Sequence, residues 1–442
     1  MSAVEQRFAS LQPRLRTETG RTGTQAIVGL PSIDLGPRFV ARNDLASLET
    51  RWLYLLLALA DPRARVAIVT SDRVPEWEVE YWLGLIPGAE CPRERLLMLA
   101  AGDLSNRPLA VKLLEQPSLL ALLAEFARGA DRSFVVPFNA TEADRDVALA
   151  IDVPIRGIDH RFARYGTKSG ARALFRDEGV AMPDGVEDVR EAAGVAAALV
   201  RLGGRAAVVK LDRGVTGDGN TIVSPGERSP LTDAELLGGA VVEELVTGAE
   251  VHSPSVQVRL HGDGRHEVIA THDQVLDGQR YVACRFPASP SYAPAIAAEA
   301  EKVARRLAHE GAVGRFAVDF VVARDHASEA WRPYAVEINL REGATTHPLG
   351  VLEGLTDAER HYFATDSLRT TPTDARGAVA VAAERGLAWD ASTATGVVFF
   401  MLRALERDGR VGIVAIGLDR EHADELRRRT VELLAELARA PA

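Results

Sequence analysis

The sequence predicts an α/β protein in three segments, residues 1–164, 165–364 and 365–442. Three observations carry this reading. Short β-branched runs alternate with helical patterns through the first third of the chain. A strand ending in Lys210 runs directly into a glycine-rich loop. Two apolar strands late in the middle segment carry acidic and amide side chains at alternating positions.

In the first segment, strand-like runs are Ala26–Leu30, Val66–Thr70 and Phe134–Phe138, with helical patterns over Leu45–Ala60, Pro75–Ile86 and Pro108–Phe126. Strands alternating with helices argue for a parallel sheet. Thr70, Ser71 and Asp72 follow a strand at its C-terminal end, where open α/β sheets place ligands; the same residues suit a helix N-cap. No glycine fingerprint follows any of these strands, so a standard dinucleotide-binding fold is excluded.

The middle segment opens on Tyr165-Gly-Thr-Lys-Ser-Gly170. A helix over Ala171–Glu178, a turn over Gly179–Gly185 and a helix over Val189–Arg201 follow. The strand Ala206–Leu211 then enters the loop Asp212–Asn220. Its glycines, Gly214, Gly217 and Gly219, allow backbone N–H groups to approach an anion. Lys210 at the strand end reaches the same anion as a point charge. Glu243 and Glu244 end the apolar run that begins at Ala240; they suit either an adenine and ribose contact or a solvated strand end. In the strand Ser255–Leu260, Gln257 and Arg259 take the opposite phase from Val256, Val258 and Leu260.

The most informative stretch is Tyr334–His347. Side chains on a strand alternate faces, so Glu337, Asn339 and Arg341 share one face, and Val336, Ile338 and Leu340 the other. The strand Phe316–Val322 is apolar except for Asp319, and the polar stretch Ala323–Arg332 suits a hairpin connection. Paired so, Asp319 faces the Glu337/Asn339 row. Oxygen donors in such a row hold hard cations that bridge to phosphates, and two ions can clamp a transferring phosphoryl group. Arg341 neutralises phosphoryl oxygens.

The third segment reads as a linker over Thr365–Gly377, a helix over Ala394–Arg407, a strand over Val411–Gly417 and a helix over Arg420–Ala440. On the last helix, Leu426, Thr430, Leu433, Leu434 and Leu437 fall at helical spacing and form a packing stripe.

Composition narrows the function. The 442 residues are 47% apolar and 26% charged, ordinary for a globular protein. A formal net charge of −10 without a basic block argues against nucleic acid. Two cysteines, Cys91 and Cys284, are too few for a disulfide framework and suit a reducing cytoplasm. Cys284 reads as a small buried hydrophobe. Residues 1–19 lack an apolar core, so no signal peptide is expected. The longest apolar run, Trp52–Ala60, is too short to span a membrane.

The order of these features resembles the ATP-grasp superfamily, and within it the carboxylate–amine ligases of the pheganomycin peptide-ligase type. The closer match lies in Glu49-Thr-Arg-Trp52, Gly166-Thr-Lys-Ser169, Phe175-Arg-Asp-Glu-Gly-Val180, Cys284-Arg-Phe-Pro-Ala288 and Glu337-Ile-Asn-Leu-Arg-Glu-Gly-Ala-Thr-Thr-His-Pro348. The resemblance covers nearly the whole chain. It implies an α/β pre-ATP-grasp domain over 1–164, an ATP-grasp fold of two α+β subdomains over 165–364, and a small α/β C-terminal domain over 365–442.

It further implies that Lys168 and Lys210 contact ATP phosphates under the Gly214–Gly219 loop. Glu243, Glu244 and Val246 would hold adenine and Glu250 ribose. Asp319, Glu337 and Asn339 would hold two Mg²⁺ (or Mn²⁺), and Arg341 would stabilise an acyl phosphate. Some relatives carry an arginine two residues before the metal aspartate; Ala317 stands there, so Arg341, Arg259 or Arg285 must supply that charge. His347 is the candidate base for the amine proton; the alternative is a structural role, fixing a turn with Thr345 and Thr346 before Pro348. His272, Asp273 and Gln274 are placed after a strand, near the metals; Arg280 and Arg285 would hold phosphates or a substrate carboxylate, or only pair with surface acids.

The implied activity joins a small-molecule carboxylate to an amine or peptide through an acyl phosphate, releasing ADP and phosphate. Such an enzyme would be cytoplasmic, with natural-product substrates and, as in related enzymes, a homodimeric state open to it. Two alternatives stand beside it: transfer to a carrier-protein thiol, with Arg427–Arg429 as either the carrier patch or simply a solvated helix face, and a non-catalytic nucleotide sensor.

Overall fold

The computed structural model describes residues 2–19, 23–86, 88, 92–214, 217, 219–327, 329–356 and 361–439. Cys91, the loop residues Val215, Thr216 and Asp218, and Ala440 lie outside them. The chain divides into two compact units. One comprises 1–157, 283–285 and 342–442, and the other 158–282 with 286–341.

The first unit begins with strands β1 (Gln25–Leu30), β2 (Ala64–Thr70), β3 (Leu96–Ala100) and β4 (Arg132–Pro137), all parallel in the order β3-β2-β1-β4. The expected parallel sheet is therefore present, and its central strands are buried almost throughout, as strands covered on both faces must be. β3 and the helix Glu142–Ile151 were not foreseen.

Two expected helices are broken. Leu45–Glu49 is α-helical, but Thr50–Ala60 winds as a 3₁₀ helix. Pro108–Phe126 splits into Leu109–Leu114 and Pro117–Arg128 because Pro117 pushes Gln116 out of the helical region, to φ −125° and ψ 78°. Nor does Ser71 cap a helix. The helix after β2 starts at Glu76, and Ser71 is buried. Its N–H and hydroxyl donate to Glu49 at 2.5 and 2.7 Å. The Lys112 ammonium donates to the Ser71 hydroxyl at 2.8 Å and to the Asp103 carbonyl at 2.8 Å.

The second unit holds two sheets. The smaller contains β5 (Gly185–Val189), β6 (Ala207–Leu211), β7 (Asn220–Val223) and β8 (Ala240–Glu244) in the order β5-β8-β6-β7. The expected helix from Val189 therefore starts at Ala192, after a strand. The larger sheet contains β9 (Glu250–His252), β10 (Pro254–Leu260), β11 (His266–Asp277), β12 (Arg280–Phe286), β13 (Gly314–Arg324) and β14 (Arg332–Asn339). Its path runs β14-β13-β10-β11-β12, with β9 added on β13. His272, Asp273 and Gln274 thus lie within a strand rather than after one. The helix Ala293–His309 buries Ile296, Ala300, Val303 and Leu307, at helical spacing, in the core with Val256, Phe316, Phe320 and Ile338.

The chain then returns to the first unit with the antiparallel strands β15 (His361–Arg369), β16 (Gly396–Phe400) and β17 (Arg410–Gly417) in the order β15-β17-β16. The expected linker over Thr365–Gly377 is therefore mostly regular. Thr365–Arg369 finish β15 and Ala375 starts a helix, leaving 370–374 as connection. The expected Ala394–Arg407 helix is β16 followed by Leu402–Asp408. The run Val397-Val-Phe-Phe400 is β-branched and aromatic, fits a pleated buried surface, and is buried in full. The last helix, Arg420–Leu437, buries Leu426, Thr430, Leu433 and Leu434 as its stripe predicts. Cys284 is buried as expected. Among the described residues no helix is long and apolar enough to cross a membrane.

Glu78 is fully buried on the helix Glu76–Gly84. Burial first, then the neighbouring Glu406 charge, push its carboxyl up from 4.5 to about 7. A raised carboxyl favours the folded state while it is protonated. That contribution is whole below pH 4.5 and is lost as pH rises through about 7. Glu78→Gln, a neutral isostere, should therefore match the wild type near pH 4.5 and exceed it at pH 8 by up to about 3 kcal/mol. Urea unfolding at the two pH values checks this; a difference independent of pH would refute it.

Candidate active site

The β13–β14 hairpin has the register the alternation implies. Asp319 stands directly opposite Glu337, and Ala317 opposite Asn339. One detail differs. Phe320 pairs with Ala335, so Val336 is an extra residue in a bulge. Ala335, not Val336, joins Ile338 in the core. On its other side Asp319 faces Ser255 of β10, which faces His272 of β11. One row across four strands thus carries His272, Ser255, Asp319 and Glu337.

Two facing carboxylates repel, and burial deepens the cost. Burial first, and Glu337 second, raise the Asp319 carboxyl to about 6 against hydrogen bonds from Ser255 and Gln274 and the charge of Arg341. The Asn339 amide donates to Asp319 at 3.0 Å, and Arg341 donates to the Asn339 carbonyl oxygen at 2.9 Å. Burial pulls the Arg341 pKa down; Glu337 and Asp319 oppose that pull. The remaining charge, on Glu337, is met by Lys168, 2.7 Å away and only 4% exposed.

Lys168 is placed by its own motif. It begins the helix Lys168–Asp177, capped by the Thr167 hydroxyl accepting from Gly170 N–H at 2.9 Å. Gly170 lies so close to the Arg164 carbonyl that a Cβ would come within 1.9 Å. The Lys168 ammonium also donates to the Gly214 carbonyl at 3.0 Å. Asp212, just after β6, accepts from Ser169 N–H at 2.8 Å. The lysine and the start of the glycine loop are therefore one unit. Gly217, at φ 79°, lies against the Gln279 carbonyl, where a Cβ would come within 2.1 Å. Gly219 also has positive φ, 88°.

Lys210 ends in a second buried network. Its ammonium lies 2.5 Å from one Glu243 oxygen, and Arg172 lies 2.8 Å from the other. Glu243 is 1% exposed. Arg172 also pairs with Glu187 at 3.1 Å.

The remaining expected residues are more dispersed. Glu244 pairs with Arg205 and accepts from Asp184 N–H. Val246 follows in the chain segment between β8 and β9. Glu250 is held by Arg324 at 2.7 Å. Arg259 lies 3.7 Å from Glu267 and opposite Arg315 in the ladder. Arg280 pairs with Asp277, and Asp273 accepts from the Tyr292 hydroxyl. His272 is buried, stacks on Phe286 at 4.6 Å, and is driven by burial down to about 3.

Arg285 and His347 belong to the first unit. Arg285 pairs with Asp424 at 3.2 Å. His347 lies in the first turn of the helix Thr346–Leu355, edge-on to Phe400 at 4.4 Å. Burial, with Arg51 adding to it, holds its pKa well below the usual range.

Sequence reasoning missed Ser255, Asp212 and Arg172. Ser255 shares the phase of Gln257, and Arg172 stands four residues after Lys168, on the same helix face; both signals were available.

The chain is 30% identical, over 87% of its length and 88% of the relative's, to the L-propargylglycine–L-glutamate ligase of Streptantibioticus cattleyicolor. The chain belongs to the ATP-grasp carboxylate–amine ligases. The fold of this ligase is similar to that of biotin carboxylase from Campylobacter jejuni, crystallised with a β,γ-ATP compound. The TM-score is 0.59 at 13% identity, covering 95% of this chain and 96% of the other. It is also similar to N5-carboxyaminoimidazole ribonucleotide synthetase in its ADP complex, at a TM-score of 0.58 and 12% identity, covering 94% and 97%. Residues 377–430 of the ligase match the family model described as PGM1 C-terminal domain.

Arg172→Leu in this ligase should lower stability by about 3–5 kcal/mol, because it leaves the buried Glu243 with one cation fewer. Chemical denaturation measures the loss, and a change below about 1 kcal/mol would contradict the network's role.

Proposed function

We propose that this ligase activates a substrate carboxylate with ATP and joins it to an amine, as in peptide or amide assembly for a natural product. One observation carries the reading: Lys168 bridges the Gly214 carbonyl and Glu337, tying the glycine loop to the Asp319, Glu337, Asn339 and Arg341 set. A loop that cradles phosphates and an oxygen-donor face that receives a hard cation are thereby joined through one side chain.

In this scheme Asp319, Glu337 and Asn339 hold Mg²⁺, two ions with Mn²⁺ as a substitute. Two facing carboxylates and an amide oxygen are the hard donors such ions take, and the repulsion that raises Asp319 is what a cation relieves. Bound Mg²⁺ neutralises phosphate charge and polarises the phosphoryl oxygens. Lys168 leaves Glu337 for the nucleotide phosphates, beside Lys210, and the loop Gly214–Gly219 closes over them. Val246 offers backbone atoms to adenine, with Glu243 and Glu244 flanking it, and Glu250 reaches ribose. Residues 165–364 act as the ATP-grasp catalytic domain, with 1–164 and 365–442 flanking it.

The substrate carboxylate oxygen attacks the γ-phosphorus, the bond to the β–γ bridging oxygen breaks, and ADP leaves. Arg341 and Lys168 balance charge on the transferred phosphoryl group. The amine then adds to the acyl carbon and expels phosphate. The amine proton passes to a base, for which His347 of the Thr-Thr-His-Pro run is the candidate. Loop closure keeps water from the acyl phosphate.

Incubation with Mg²⁺, ATP and pooled amino acids and short peptides, with hydroxylamine present, tests the scheme. Carboxylate-dependent ADP and a hydroxamate are expected; ADP without hydroxamate would refute the acyl phosphate. Glu337→Gln should cut ADP release by roughly a thousandfold, and unchanged turnover would remove the metal assignment. His347→Gln should keep the hydroxamate and lose the amide.

A further inference from the structure

Arg285 and Arg427 both lie against one aromatic ring in the first unit. Their guanidinium carbons stand 5.1 and 4.8 Å from the centre of Phe363. Arg285 pairs with Asp424 at 3.2 Å. Arg427 is half-buried, makes no ion pair among the described residues, and its Nε has no hydrogen-bond partner there. Its neighbours in sequence are already satisfied. Arg428 pairs with Glu425 and Glu432 at 2.7 and 2.6 Å, and Arg429 donates to the Arg385 carbonyl at 3.2 Å. Two guanidiniums thus share one carboxylate.

A half-buried cation beside a like charge is unfavourable unless an anion joins it. Burial, and then Arg285, pull the Arg427 pKa down against the charge of Asp424, which Arg285 already engages. A ring beneath each guanidinium fixes its plane, and a planar fork matches a carboxylate through two parallel bonds. The cluster is reachable, since the Arg285 and Asp424 side chains are 34% and 40% exposed.

We propose that Arg285 and Arg427, set on Phe363, bind a free carboxylate of the amino-acid substrate, one that is not activated. This assignment rests on the ligase reading above. It also gives the arginine run a different role from a carrier-protein patch, because only its first member lies on Phe363 beside Arg285.

Calorimetric titration with L-glutamate and then each other protein amino acid, with and without ATP, tests it. At least one amino acid should bind the wild type. Arg427→Gln and Arg285→Gln should each weaken it by about tenfold or more, with Arg427→Lys intermediate and Arg428→Gln within about twofold. ATP affinity should be unchanged in all four, which also shows that they are folded. The α-amide of the bound amino acid should lose about tenfold on the wild type and nothing further on Arg427→Gln. Binding by Arg427→Gln within about twofold of wild type would overturn the proposal, as would absence of any amino-acid binding or displacement by inorganic phosphate alone. The ligase reading is judged separately by ADP release, so the failure of either is visible without the other.

Discussion

Asp319 and Glu337 face each other across β13 and β14, and two partly buried carboxylates at that spacing repel unless cations stand beside them. Most of the surrounding chemistry follows from that constraint. Lys168 comes to Glu337, Arg341 reaches in through Asn339, and Ser255 and Gln274 give hydrogen bonds to Asp319. Each of these groups answers the same electrostatic demand from a different direction. None is expensive to recruit, because adjacent strands and one helix N-terminus already converge there.

The same logic explains why the two lysines sit where they do. Lys168 is buried and Lys210 partly so, and each has a carboxylate in contact, Glu337 for one and Glu243 for the other. Asp212 fastens the first turn of the Lys168 helix to the exit of β6, so the two lysines are mounted on parts that share a joint.

Much of this was legible in the chain itself, and the parts that were not have identifiable reasons. The alternation of Glu337, Asn339 and Arg341 with Ile338 announced one polar face, and the pairing with Asp319 followed from a polar connection of hairpin length. The parallel sheet of the first unit was legible from its spacing. Val336 was misplaced because a bulge interrupts period two without leaving any compositional mark. Pro108–Phe126 looked continuous because its apolar pattern bridges Pro117, whose steric effect on Gln116 outweighs it. His266–Asp277 was only partly seen, since a strand with intermediate burial on both faces shows little alternation. Ser71 and Lys112 were invisible as a buried polar link. Their partners come from distant positions, and no local pattern distinguishes a buried lysine from a solvated one.

The bulge at Val336 has a bearing on how this hairpin tolerates change. The extra residue sits between two paired stretches, Phe320–Ala323 with Arg332–Ala335 on one side and Ala317–Asp319 with Glu337–Asn339 on the other, and it sets the parity of the second against the first. Were it lost, the core side of β14 would be filled from the wrong parity, and either Ala335 or the acid–amide pair would have to change faces. The spacing from Ala335 to Arg341 is thus fixed to the residue by the need to keep Ala335 and Ile338 in the core and the acid–amide pair on the opposite face.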